Sequence, residues 1–126
     1  MQITDNQTDE QSLADLGTRA AGLLRSGDFD TLADQFGYAV SFERDPASAI
    51  REDLSSSLAE LGAPALGSSP SPPASVSYFE SHADGLCALV EQRIPASNGR
   101  QVLLELVVSA QGIEKHVVLE QISAAD

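Results

Sequence analysis

From Val102 to Val108, Val102, Leu104, Leu106 and Val108 alternate with Leu103, Glu105 and Val107. Successive side chains of an extended chain point to opposite faces, so the first four share one face, and Leu103 and Val107 flank Glu105 on the other. The pattern predicts a central strand with a core on one side and a partly covered surface on the other. Upstream the apolar period lengthens to three and four. Leu13, Leu16, Ala20, Leu23 and Leu24 predict a helix over about Glu10 to Arg25, with Arg25 in the last turn and Gly27 just beyond. Asp28 is placed to cap a second helix, whose stripe is Phe29, Leu32, Ala33 and Phe36. Gly37 ends it, and Tyr38 to Phe42 reads as a short strand. A third helix is bracketed by Asp45 and Pro46 at its start and by Gly62 and Pro64 at its end. Ala47, Ile50, Leu54, Leu58 and Leu61 form its stripe.

The Ser/Pro/Gly-rich connection 63–75 carries Pro64, Pro70, Pro72 and Pro73 and is expected to be extended and mobile. Four strands are expected after it, over Val76–Glu80, Leu86–Ile94, Gln101–Ser109 and Ile113–Ile122. The turns between them pass through His82 to Gly85, Pro95 to Gly99 and Ala110 to Gly112. Such short connections make antiparallel neighbours. The expected fold is therefore α+β, with three N-terminal helices packed on a curved antiparallel sheet of four strands or more, in one domain over 1–126. Residues 1–8 are polar and aperiodic and are expected to form a flexible tail.

Turning Leu86, Ala88, Val90, Val102, Leu104, Leu106 and Val108 to the helices leaves Phe79, Cys87, Leu89, Leu103, Val107, Val118 and Ile122 on the back of the sheet. Glu91, Glu105, Glu114 and His116 lie among or around them. So much contiguous apolar surface is unusual on a monomer. The pattern predicts a sheet-to-sheet homodimer through Phe79, Leu89, Leu103, Val107, Val118 and Ile122, or a covering by the Ser/Pro connection or the tail.

Composition narrows the partners. The chain has 126 residues, 42% of them hydrophobic, and a net charge of −12, which disfavours nucleic-acid binding and allows a basic protein partner. No apolar run approaches a membrane span, and the polar, acidic N-terminus does not read as a signal peptide. One cysteine, Cys87, excludes an internal disulfide and fits a reducing, cytoplasmic setting.

The run Gly27-Asp-Phe-Asp-Thr-Leu-Ala-Asp-Gln-Phe36 is similar to the second helix of the nuclear transport factor 2-like superfamily, which has the cone-shaped, cystatin-like fold. The Asp45-Pro46 step resembles that of its ketosteroid isomerase and polyketide cyclase members. The resemblance implies helices on a curved sheet, with frequent dimerisation. In the isomerases it also implies a carboxylate base after the first strand and an oxyanion hole made by a Tyr and a protonated Asp. Counted from Gly27 without a gap, Arg44 occupies the base position, and Asp45 matches only after a shift of one residue. The first helix has no Tyr, and the inward strand positions are aliphatic.

The candidate residues each have a structural explanation beside the chemical one. Asp45 and Tyr38 are the least implausible catalytic pair, but Asp45 is fully explained as a helix cap. Tyr38, Tyr78, Gln92 and Lys115 could rim a ligand pocket at the mouth of the cone, or sit as amphipathic edge positions. His82 reads as a solvated turn residue and His116 as an outward cross-strand one. With Cys87 they lack metal-ligand spacing, so no metal and no cofactor is expected. The sequence reads best as a non-catalytic module that binds a protein partner or a small apolar ligand. A small isomerase, cyclase or hydrolase working at the cone mouth and an acidic inhibitor or immunity-type protein are the alternatives.

Overall fold

A computed structural model of the chain describes residues 1–80 and 85–125. His82 and most of the turn expected around it lie outside the described residues. Helix α1 spans Glu10–Arg25, α2 Phe29–Phe36 and α3 Pro46–Leu61. Each begins at an aspartate whose carboxylate accepts a backbone N–H three residues on: Asp9 from Ser12, Asp28 from Thr31 and Asp45 from Ser48. That bond satisfies a donor the first helical turn leaves free. Gly62 ends α3 at φ 70°, a left-handed cap open to glycine at little cost.

The strands are β1 Gln2–Ile3, β2 Ser75–Tyr78, β3 Leu86–Pro95, β4 Gln101–Gln111 and β5 Glu114–Ala124. They form one antiparallel sheet in the order β1-β5-β4-β3-β2. β4 is its centre, and Val102, Leu104, Leu106 and Val108 are fully buried under the helices, as their alternation predicts. Leu13, Leu24, Leu32, Phe36, Ile50 and Leu61 cover them from the helical layer.

Several expectations are corrected. The expected tail contributes a fifth strand: β1 pairs with His116 and Lys115 of β5, Ile3 is buried, and the Met1 carbonyl accepts from Val117 N at 2.7 Å. Tyr38 to Phe42 is not a strand. It lies in a loop tied to the sheet edge-on by the bond from Ala39 N to Leu119 O. Phe42 (φ 44°) and Glu43 (φ 54°) adopt left-handed backbone there, which is incompatible with extended pairing. The connection 63–75 is pinned, since Leu66 bridges Ala96, Gly67 N donates to Pro95 O and Ser97 N donates to Ala65 O.

Two irregularities re-aim side chains. The β4–β5 register runs Leu106 opposite Leu119 and then Glu105 opposite Gln121, so Glu120 is an extra residue. Such a bulge reverses the facing of everything beyond it. Ile122, expected on the back of the sheet, is therefore buried opposite Leu104. A register shift between Leu86 and Ala88 does the same at the start of β3. Cys87, expected outward, is buried, whereas Leu86, expected inward, is exposed.

The helical stripes are also turned slightly from their expected centres. In α3, Ala49 and Ser57 are buried where Ala47 and Leu58 are only half-buried. The Ser57 hydroxyl is satisfied by donating to Asp53 O at 2.8 Å. In α1, Gly17 is buried, and a Cβ there would stand 3.1 Å from Ala74 Cβ and 3.2 Å from Val90 Cγ1. The missing side chain lets α1 settle directly on β3.

Three substitutions grade these contributions in urea melts. Ile50→Ala, in the helix–sheet core, is expected to cost ~2–5 kcal/mol, and Asp45→Ala ~0.5–2 kcal/mol through loss of its cap. A Cβ at Gly67 would meet Ala96 O at 2.8 Å, so Gly67→Ala must displace backbone; its expected cost is ~1–3 kcal/mol.

Candidate functional site

The loop between α2 and α3 is organised by one arginine. Arg44 donates to the carbonyls of Val40 (2.7 Å) and Ser41 (2.8 Å), which folds the loop over its own guanidinium. The same group reaches α3, with Nη1 3.1 Å from both Glu52 Oε2 and Asp53 Oδ1. From the other side the Tyr38 hydroxyl donates to Asp53 Oδ2 at 2.6 Å. Phe42, 73% exposed, crowns the loop. Between the loop, α3 and the end of β5 lies a broad cleft of about 450 Å³, bordered by Val40, Arg44, Asp53, Glu60 and Gln121.

This constellation is poorly suited to proton transfer. Burial pulls the Asp53 pKa upward, but the hydrogen bonds from Arg44 and Tyr38 and the charge of Arg44 outweigh it and hold the carboxyl below its ordinary value. Burial, the bond to Asp53 and the Asp53 charge all raise the Tyr38 pKa, so its phenol stays protonated. Asp53 is thus a fixed carboxylate with both oxygens engaged, and Tyr38 a fixed donor. Asp45, the expected base, faces its own helix and accepts from Ser48 N (3.1 Å) and Ser48 Oγ (3.2 Å).

The four expected ligand-binding residues are not brought together. Tyr38 lies under the α2–α3 loop. Tyr78 is exposed on edge strand β2, its hydroxyl donating to Thr8 O at 2.7 Å. Lys115 sits by the opposite edge, paired with Asp5 at 2.9 Å. Gln92 is 1% exposed beneath α1 and the Pro-rich connection. They therefore rim no common mouth, because the sheet separates them along its width. His116 lies opposite Ser109 and Gln2, with Nε2 3.4 Å from a Glu114 oxygen. Among the described residues no group of His, Cys, Asp and Glu is arranged to hold a metal ion, and no helix is long and apolar enough to cross a membrane.

The back of the sheet carries a second constellation. Directly paired strand residues share a face, so Leu89, Val107 and Val118 form a continuous aliphatic row across β3, β4 and β5. The next row is acidic: Glu91 stands opposite Glu105, and the bulge adds Glu120. Leu103 follows, between Arg93 and Ser123. All three aliphatics of the first row are half-buried within the sheet surface. Burial and then the charges of Glu91 and Glu120 raise the Glu105 pKa. The aliphatics, Glu91 and Glu105 follow from the alternation alone, whereas Glu120 does not, because a bulge leaves no mark in it. Arg44 and Asp53 were missed as a pair because they come from a loop and from the rim of a helical stripe.

No protein-family model, curated protein or solved structure matches this chain.

The two carboxylates should act oppositely on stability. The folded-state pKa of Asp53 is depressed, so its contribution is present above the unfolded value, about 4, and is lost as pH falls through the folded one. Asp53→Asn should therefore be less stable than wild type at pH 7, and the gap should close on acidification in urea melts. The pKa of Glu105 is raised, so its contribution is present below the unfolded value and lost as pH rises through the folded one. Glu105→Gln should be the more stable protein at pH 7 and lose that advantage near pH 4 and below.

Proposed function

We propose that this chain is a non-catalytic binding module whose helix-free sheet face receives a basic protein surface. The observation that carries the reading is the aliphatic row Leu89, Val107 and Val118 laid beside the carboxylates of Glu91, Glu105 and Glu120. Aliphatic side chains supply area to bury, and mutually repelling carboxylates supply an unfavourable field that an incoming Lys or Arg relieves. The net charge of −12 extends the same preference over long range, steering a cationic partner toward the chain. The inner sheet face, apolar apart from Gln92, and the locked Tyr38–Asp53–Arg44 cluster favour binding over catalysis. We also read the helices on a curved antiparallel sheet as a cone of the nuclear transport factor 2-like kind, on the order of elements and the Gly27–Phe36 and Asp45-Pro46 wording.

A homodimer through this face, expected from the apolar pattern, would set three carboxylates of one copy against three of the other. That repulsion is why the basic partner is preferred. Titrating the labelled protein with a Lys/Leu-rich amphipathic peptide tests the choice by NMR. The expected result is amide shifts confined to β3, β4 and β5 around Leu89, Val107 and Val118, weakening as salt is added. Glu105→Lys should reduce affinity roughly ten-fold or more. Shifts spread equally over the acidic residues of α1 and α3 would mean diffuse counter-ion attraction and would end the proposal. Light scattering at pH 7.5 reads the competing outcome: a wild-type dimer that Leu103→Glu dissociates would assign the face to self-pairing.

A further inference from the structure

The sheet ends at β2, whose outer edge has no neighbouring strand among the described residues. Phe79 N donates to Cys87 O at 2.9 Å, and alternate residues of an antiparallel strand turn their backbone groups to the same side. Ser75 and Ser77 therefore turn theirs to β3, while the N–H and C=O of Val76 and Tyr78 point outward. Among the described residues nothing donates to or accepts from them. A bare edge is a template for pairing unless a charge, a proline or a covering segment blunts it. β2 is short, which limits such pairing, but Ser75-Val76-Ser77-Tyr78 carries no charge and no proline, and all but Val76 are exposed. The opposite edge, β1, offers only two residues.

Beside this edge runs α1, in the opposite direction. The Tyr78 hydroxyl meets Thr8 just before the helix begins, and Ala74, ahead of the strand, lies against Gly17 further along. Glu10, Ala14 and Thr18 follow helical spacing, and with Asp15, Pro73 and Ala74 they border a cleft of about 390 Å³. Two carboxylates line it and no basic residue does. Burial and then the charges of Asp9 and Glu10 raise the Tyr78 pKa, so the negative field reaches the strand itself.

We propose that β2 accepts an extended segment of a partner protein as an added strand, with Lys or Arg at alternate positions of that segment lying over Glu10 and Asp15. The strand edge supplies the pairing, and the acidic cleft supplies the selection. Val76 and Tyr78 stand opposite Val90 and Ala88, which are buried beneath the helices. Every second residue of an added strand shares that face and leans toward α1, and the others lie beside Ser75 and Ser77. A second copy of this chain fits less well. Pairing two β2 edges about a twofold axis would set Glu10 and Asp15 of one copy toward those of the other, on chains that each carry a net charge of −12. The contact is separate from the back of the sheet and goes beyond the reading given for that face. Its readout, the backbone of Val76 and Tyr78, is distinct from Leu89, Val107 and Val118, so the failure of one is distinguishable from the failure of the other.

Hydrogen exchange read by NMR tests the proposal with a capped peptide of alternating Lys and Val and two relatives of it. One relative is N-methylated throughout, which keeps every charge and removes every donor; the other has Glu in place of Lys. In the free protein the amides of Val76 and Tyr78 should exchange faster than those of Ser77 and Phe79. The Lys/Val peptide at saturation should slow Val76 and Tyr78 by roughly ten-fold or more, and both relatives should leave them unchanged. Val76→Pro removes one outward N–H at an edge position of the kind that tolerates proline, and should abolish the protection at Tyr78. Because Val76 also packs against the core, a double variant on the exposed helix side, Glu10→Gln with Asp15→Asn, is the second arm. It should weaken affinity for the peptide roughly ten-fold, with Val76 and Tyr78 still protected at saturation. Unchanged exchange at both amides under saturating Lys/Val peptide would overturn the proposal. So would an N-methylated peptide that binds as tightly, or unchanged affinity in the folded double variant. Protection of the two amides that appears without peptide and grows with protein concentration would assign the edge to a second copy and overturn it as well.

Discussion

The structure depends on the two-sided burial demand of β4. Its inward residues Val102, Leu104, Leu106 and Val108 are fully buried, and each lies opposite a buried or half-buried apolar neighbour on β3 or β5, apart from Gln92 opposite Leu104. A strand flanked along its length cannot slip by one residue without turning that whole set to water. The helices supply the lid, and Gly17 sets how closely the first of them approaches. The face of the sheet away from the helices then follows of necessity, because the odd-numbered residues of β4 have nowhere else to point.

Much of this was legible because it rests on local periodicity and on cap chemistry. The helix caps at Asp28 and Asp45, the helical period from about Glu10 and the alternation through Val102–Val108 need no knowledge of distant contacts. The misreadings share a different cause. Tyr38 to Phe42 has strand-like residues, yet Arg44 folds that segment over its guanidinium, a long-range choice between α3 and the sheet. Ile3 looks like part of a polar tail until β5 offers it an edge. Ile122 and Cys87 follow the alternation on paper but lie beyond register shifts. No glycine marks either shift, so only the paired strands reveal them.

The candidate sites divide along the same line. The aliphatics on the back of the sheet and Glu105 could be read from period two alone, whereas the acidic row needed Glu120 to be displaced outward. Gln92 could be named as a polar residue of interest, but its burial depends on where Pro72 comes to rest. The free edge of β2 likewise becomes visible only when the strand order is in place.

The bulge at Glu120 has a further consequence for how the chain can change length. Within a strand, losing one residue ordinarily exchanges inside for outside for everything that follows. Glu120 is the exception in β5, because Leu119 already faces inward, Gln121 outward and Ile122 inward on either side of it. A deletion at that codon would leave every core residue on its present side and remove only a kink and a charge. Deletion of Val118 would instead misplace the core residues on one side of the gap. The last strand therefore contains a site at which one residue can be lost with the inward and outward sets kept, and that site is also where the acidic row is made or unmade.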